Sequence, residues 1–489
     1  MGQDRIAALL RQDGRPGFRE TFGAVMLLAW PAILEQIMIT AVQYVDTAMV
    51  GQLGASATAA VGLMSSSIWL FNGLFGAASV GFSVQVAQYL GAGRENSARQ
   101  VTAQSLRFIL LFGVFIGALA VGLSFPLPRW LGAAPDVAGD AGWYFRIIAI
   151  GMPFTLGVNM ASAILRCAGD TRSPMVLNTL INVINVALNF FLIYPARSIS
   201  IFGGSIFVWG AGLGVKGAAL ASILATAFVF GAFLLLLFRK PSPVRLSPSD
   251  SRALQPDCLR TVLRLGVPVA LERVAMCLAQ ILITGLISGI GTVAMAANHL
   301  AVTAESVSYS PAYGVAVAAT TLVGQAVGAG RKDLAMRFAK MTTYIGIGMM
   351  TLGGVCLYVF AAPLITIFTP DQAVIELGTR VLRIVAFAEP LFGAAIVASG
   401  ALRGAGDSRG PFLICLGTMW GVRLTLNLLL VKPLGLIGVW LAMAAELVVR
   451  GAIFLARLFS GRWLRGELLS GAAPDTAVDP RDSKGRPEA

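Results

Sequence analysis

Residues 88–94 read Gln-Tyr-Leu-Gly-Ala-Gly-Arg, and residues 325–331, which lie 237 positions further on (325 − 88), read Gln-Ala-Val-Gly-Ala-Gly-Arg. The same offset lays Pro31 on Pro268, Glu35 on Glu272, Gln43 on Gln280 and Gly54 on Gly291. It still holds where LRCAGD at 165–170 meets LRGAGD at 402–407, and where Pro174 meets Pro411. An ungapped echo from 31 to 174 marks an internal duplication. Beyond it the register slips by one, so that Asn189 falls on Asn427. The first half then carries an insertion around 198–210.

Working outward from the repeat, 56% of the 489 residues are apolar and only 12% are charged, with a mean hydropathy of +0.77. Soluble domains carry about 25% charged residues, so a water-facing surface of ordinary polarity cannot be built from this chain. The apolar residues form runs of about 20 or more, the length that crosses a hydrocarbon core. The fold expected is an all-α integral membrane protein with twelve transmembrane helices in two pseudo-twofold six-helix bundles. Spans are predicted near 20–51, 57–89, 100–127, 138–167, 174–195, 212–238, 260–289, 293–325, 336–366, 374–402, 411–431 and 435–458. Each half holds an even number of spans, so both enter the membrane in the same direction. That is a parallel repeat, with a binding site expected between the halves. The domains that follow are an N-terminal segment 1–19, a first lobe 20–238, a polar linker 239–257, a second lobe 258–460 and a disordered tail 461–489.

The formal charge of +13 does not form one patch, which argues against nucleic acid as a partner. Basic residues instead cluster after even-numbered spans, as with Arg94, Arg172, Arg239, Lys240, Arg331 and Arg403. Connections after odd spans are nearly free of them. That alternation is the signature of cytoplasmic loops, and it places both termini in the cytoplasm of a plasma-membrane protein. Residues 1–19 show no cleavage site for a signal peptide. Five scattered cysteines without CxxC spacing and a single histidine, His299, argue against a disulfide frame, a metal site or a cofactor.

At the motifs PAILEQ, VDTAMVGQLG, QYLGAGR, LRCAGDTRSPM and LNTLINVINVALNFFLIY, with the echoes LGVPVALE, LVGQAVGAGR and LRGAGDSRGPF, the sequence resembles the multidrug and toxic compound extrusion (MATE) family over roughly 20–460. The resemblance implies a bacterial inner-membrane antiporter that exports small hydrophobic or cationic organic compounds by alternating access, in exchange for protons or sodium. Asp46, in VDTAMVG, matches the family's first-helix aspartate. Asn185 matches an asparagine of the family motif, Asn189 stands where an aspartate is common, and Ser222 falls where a hydroxyl faces the same cluster. The missing carboxylate at 189 favours protons over sodium.

Ionisable groups within spans are costly and are functional candidates by default. Asp46 reads either as a hydrogen-bonded helix-end carboxylate or as an ion-coupling acid; its repeat mate is Ile283. Asn178, Asn182, Asn185 and Asn189 are spaced four, three and four apart, on one helical face. They line a cavity or join helices by hydrogen bonds. In the second lobe Glu272 and Glu389 are candidate ion-coupling acids, with Glu305 beside the cleft and Arg423 expected to pair with a glutamate. Pro390 is expected to break the helix beside Glu389. Gln43, Tyr44, Met64, Trp69, Met276 and Tyr309 are candidate cleft residues, because aromatic and thioether walls tolerate varied cations. Pro31 and Pro268 read as hinges. Arg166/Asp170 and Arg403/Asp407 read as clamps, each arginine pairing with the aspartate four residues on.

The alternatives within reach of the sequence are a lipid-linked oligosaccharide flippase of the same superfamily and a membrane-embedded transferase. The first usually has about fourteen spans and an arginine-rich cavity. The second needs a catalytic acid or histidine motif, and the chain holds no GxxxxGK[ST] loop either. The protein reads as a monomeric transporter and not as an enzyme.

Overall fold

The structure, a computed structural model, describes residues 16–201, 204–247, 250 and 254–465, together with Ile6 and residues 8–10. The first half contributes α1 (Phe18–Gly51), α2 (Ala55–Gly91), α3 (Glu95–Leu123), α4 (Pro135–Cys167), α5 (Arg172–Leu192) and α6 (Gly214–Arg239). The second contributes α7 (Pro256–Ser288), α8 (Thr292–Gly328) and α9 (Lys332–Val359). Its tenth span, α10, comes in two pieces, Gln372–Ala386 and Glu389–Gly404, bent by 58° where Pro390 removes a backbone donor. The helical stretch Arg409–Ser460 is interrupted at Gly435 (φ 57), just after Pro433. It therefore forms two spans, α11 (409–434) and α12 (436–460). Within α11 the turn Gly417–Leu424 is a π-helix.

The insertion between the fifth and sixth spans is an antiparallel hairpin of β1 (Pro195–Ile201) and β2 (Gly204–Ala211). It is the one departure from all-helical structure among the described residues. Its alternating Ser-Ile-Ser-Ile pattern is the strand signal, and Ile199 pairs with Ile206.

Each half has its own apolar core. Phe75, Phe82, Phe145, Leu156 and Phe233 pack α2, α4 and α6 together. Val381, Trp440 and Met443 do the same for α10 and α12. The bundles are not fully separate, because Ala24, Val25 and Leu28 of α1 lie in a core with Phe338, Leu402 and Phe454 of the second half. Ile6 and Leu9, in the segment that precedes the first span, are buried in that core as well. The expected disordered tail is ordered over Arg462–Arg465, a 3-10 turn that buries Trp463; 466–489 lie outside the described residues.

At the basic-loop end the two repeats grip each other reciprocally. Gln88 Nε2 donates to Gly404 O at 3.1 Å, and its repeat mate Gln325 Nε2 donates to Cys167 O at 2.8 Å. Gly91 lies directly against the carbonyl of Gln325, and Gly328 lies against that of Gln88. A side chain at either glycine would collide with backbone, so this approach requires the GAGR glycines. Further along, Thr40 Oγ1 and Ser310 Oγ share a hydrogen bond of 3.0 Å, and Gly314 packs on α1 at Ile33. Towards the other end, Gln43, Ser65, Ser66, Gln280 and His299 of α1, α2, α7 and α8 are exposed. Exposed polar residues within spans point to a water-filled cleft, which opens away from the basic loops.

Overpacking of this kind typically costs about 1–3 kcal/mol. We expect Gly328→Ala to loosen the closed end. In an otherwise cysteine-free chain, Thr321→Cys, which replaces a buried residue bonded to Arg166 O, should then label faster from the basic-loop side. Unchanged labelling would contradict the reciprocal grip.

Candidate functional site

Where α1 passes α5 and α6, the first half collects one carboxylate and three neutral polar groups. Asn189 Nδ2 donates to Asp46 Oδ1 at 2.8 Å. In the amide orientation that satisfies its neighbours, Asn185 Nδ2 also donates to Asp46 Oδ1 at 2.8 Å, while its Oδ1 accepts from Ser222 Oγ at 3.0 Å. Asp46 is half-buried and both amides are buried. Asn189 Oδ1 has no hydrogen-bond donor of its own, which leaves a spare acceptor beside the carboxylate. No ion pair to Asp46 is found among the described residues. Tyr144 of α4 lies within electrostatic reach of it, a neighbour that sequence spacing could not reveal. A carboxylate supported by amides and a hydroxyl, with no lysine or arginine paired to it among the described residues, can take up a proton or a small cation.

The four asparagines of α5 split between two groups. Asn178, expected in the cleft, donates instead to Glu35 Oε1 at 2.7 Å, and Glu35 is also paired with Arg166 Nη1 at 2.7 Å. Asn182 is half-buried with its Nδ2 unpaired. The second half repeats the clamp: Arg403 Nη2 reaches both oxygens of Glu272, at 2.8 and 2.9 Å. Glu272, a candidate ion-coupling acid, is thus already neutralised by an arginine.

The clamps therefore differ from the expected pairing. Each helix ends at or just past its arginine, and Gly169 (φ 87) and Gly406 (φ 91) turn the chain away. The aspartates leave the helical register and pair elsewhere. Asp170 takes Lys240 at 2.6 Å and caps Ser173 N; Asp407 takes Arg457 at 2.5 Å and caps Gly410 N.

The second half holds a separate acidic cluster. Glu389 is fully buried and accepts from Ser308 Oγ at 2.9 Å, with Oε1 unpaired. Glu305 is buried within electrostatic reach of it, and so is not a cleft wall. Arg423, expected to pair with a glutamate, makes no ion pair among the described residues: Glu272 is held by Arg403, and Glu446 by Arg450 one turn later, at 2.6 Å. Arg423 feels Glu446 and Glu305 only through space, and its Nε lacks a hydrogen bond. Arg423 is carried on the π turn Gly417–Leu424.

Of the other cleft candidates, Met64 is fully buried in the first-half core. Its polar neighbours Ser65 and Ser66 take the exposed positions. Trp69 is half exposed and covered by the Arg273 guanidinium from α7 at 4.7 Å, a cation from the opposite half resting on the ring. Tyr309 packs edge-on to Tyr313 and Phe392, Met276 is half-buried, and Gln43 is exposed. Tyr44 has a described backbone only. Pro31 and Pro268 lie inside unbroken helices.

The MatE family model matches this chain at 31–191 and again at 268–429. The probable multidrug resistance protein NorM of Thermotoga maritima is 29% identical over 449 residues, covering 91% of this chain and 93% of its own. The multidrug resistance protein MdtK of Edwardsiella ictaluri is 27% identical over 90% of this chain and 95% of its own. Among solved structures, an outward-facing conformation of a multidrug resistance MATE family transporter superposes with a TM-score of 0.84 at 22% identity, covering 94% of this chain and 99% of that one. A MATE in complex with MaL6 also scores 0.84, at 22% identity, over 93% and 98%.

At the basic-loop face, burial alone would raise the Asp170 carboxyl, but Lys240 and Ser173 hold it below its ordinary value of 3.8. A carboxyl depressed in the folded state contributes stability above its unfolded value, and loses it as pH falls. We expect Asp170→Asn to lower the melting temperature at neutral pH. The gap to the parent should close on acidification below about 4; a gap that persists there would contradict the ion pair's role.

Proposed function

The chain belongs to the multidrug and toxic compound extrusion (MATE) family of membrane efflux transporters, and on that premise we propose that it is a secondary active antiporter. It exports hydrophobic, often cationic, organic compounds by alternating access, with protons favoured over sodium as the coupling ion. Both termini lie in the cytoplasm, so the cleft opens outward in this conformation.

The observation that carries the reading is the Asp46 carboxylate, held at one oxygen by the amides of Asn185 and Asn189. Protonation of Asp46 turns an acceptor of two hydrogen bonds into a donor, and the amides lose the charge that aligned them. The hold of α5 on α1 then weakens, α1 repacks near Pro31, and the bound compound leaves as the proton enters. The amides are neutral, so protonation leaves no uncompensated cation behind. Sodium would need more oxygen ligands than one carboxylate and Asn189 Oδ1 supply.

Asp46→Asn keeps the shape and the hydrogen-bonding capacity but cannot exchange a proton. In proteoliposomes with proton and sodium gradients imposed separately, the parent should export a cationic dye on the proton gradient. Asp46→Asn should bind the dye yet lose driven export by at least about tenfold. Normal export by Asp46→Asn, with export abolished in Glu389→Gln, would assign coupling to the second half.

A further inference from the structure

A cavity of about 550 Å³ opens at the basic-loop face, away from the interlobe cleft, where α3 begins and α6 ends. Its walls include Arg99 of α3, Phe238 of α6, and Ser242, Arg245, Leu246 and Ser247 of the linker joining the two halves. The linker is fixed there rather than draped. Leu246 N donates to Leu237 O at 2.9 Å, Arg245 N closes a turn onto Ser242 O at 2.9 Å, and Val244 and Leu246 are buried in the first-half core. Arg245 Nε donates to Phe238 O at 3.1 Å, while Arg99 Nε is buried with no hydrogen-bond partner. Among the described residues no carboxylate lines the cavity; the nearby Asp250 is engaged by Ser247 N at 2.6 Å.

The repeat shows what this cavity replaces. The sixth and twelfth spans open at Gly214 (φ 54) and Gly435 (φ 57), an offset of 221 (435 − 214). Three residues on, Gly217 and Gly438 each press against a leucine carbonyl, of Leu192 and Leu430, which confirms the register. In that register Ser242 corresponds to Trp463, and at the 237 offset Arg99 corresponds to Met336. Trp463 is buried in the second-half core, with Met336 packed against the same cluster. Thus one half closes this corner with tryptophan over methionine, and the other leaves it hollow with serine and arginine.

The geometry points to a phosphate-binding site, occupied by the headgroup of an anionic phospholipid in the leaflet next to the basic loops. Two guanidinium groups and two hydroxyls suit a phosphate, since guanidinium donors match its oxygens in pairs. Phe238 and the exposed Pro241, which also lines the cavity, offer apolar surface for the glycerol and first methylenes. The cavity lies at the ends of two spans, the depth of the headgroups. Basic pockets between spans at that depth recognise anionic headgroups. A bound phosphate would satisfy the orphaned Arg99 Nε and tie the linker to α3.

The test uses the full-length protein in detergent, with retained lipid counted by native mass spectrometry. Dioleoyl-phosphatidylglycerol and dioleoyl-phosphatidylcholine are the lipid probes, and inorganic phosphate is the soluble competitor. The parent should retain one phosphatidylglycerol in preference to phosphatidylcholine. Arg99→Met and Ser242→Trp, which install the residues of the other half, should each weaken that binding by about tenfold, with melting temperatures in lipid-free detergent near the parent's. Should Arg99→Met fail to fold, Arg245→Ala in the exposed linker replaces it. Displacement by millimolar phosphate with the same arginine dependence would support the phosphate site and name a soluble anion as its occupant. Equal retention of both lipids, or phosphatidylglycerol binding unchanged in the variants, would overturn the proposal.

Discussion

Lipid offers no hydrogen bonds, so every polar side chain placed within a span must find its partner inside the protein. That single constraint accounts for much of how these helices are arranged. Glu35 and Glu272 sit at equivalent places in α1 and α7, and each is met by the arginine that ends α4 or α10. Removing one partner would leave a buried charge uncompensated, a much larger loss than the pair's net contribution. The two clamps therefore specify which helices are neighbours more than they add stability. Asn178 strengthens the first clamp, and its repeat mate Cys415 lies beside the second.

The duplication sets a second constraint, on backbone shape. The two halves meet through small residues that let one helix lie against another: Gly91 on Gln325, Gly328 on Gln88, Gly314 on α1 and Gly266 on Ala77. Such contacts gain dispersion energy over a wide surface without relying on hydrophobic transfer, which lipid cancels. Being reciprocal, they can also part together. The bundles are joined at that end by the glycine contacts and by the core that α1 shares with the second half, and are separated by exposed polar residues at the other, so the proposed rocking would have to part both kinds of contact.

How much of this could be read from the sequence depends on the range of the interaction. Hydropathy and the 237-residue echo were enough for the helices, the pairing of halves and the break before Pro390, because those follow from local composition. They also pointed to the Asp46–Asn185–Asn189–Ser222 group, since helical spacing places the asparagines on one face and the family motif supplies the acid. Ion-pair partners were not legible. Arg166 and Asp170 are four apart, yet the glycine turn at 169 carries the aspartate to Lys240, seventy residues away in sequence. Arg423 was expected to pair with a glutamate because an unpaired arginine within a span is costly, but that argument names no partner, and Glu446 is taken by Arg450. Met64 was read as a wall because a thioether suits both a cleft and a core; only the packing of α2 on α4 decides between them. The hairpin was missed because an apolar context dominated its short alternating pattern.

The two halves share a backbone plan but not a chemistry, and that difference is where function can reside. Asp46 faces two amides in the first half, while its mate Ile283 is packed in an apolar core. Glu389 is buried in the second half, while its mate Met152 is buried in the first. Acids within the spans thus stand where the other bundle has a hydrophobe, Asp46 in the first half and Glu389 and Glu305 (opposite Ile68) in the second, and none of them is matched across the repeat. A symmetric pair of sites would fill and empty together and would give a bound ion no reason to favour one tilt of the bundles. Under the proposed antiport, charge removed from one of the unlike sites would change the packing around that site alone. The symmetric parts, the clamps and the glycine contacts, would then keep the motion rigid, and the asymmetric parts would give it direction.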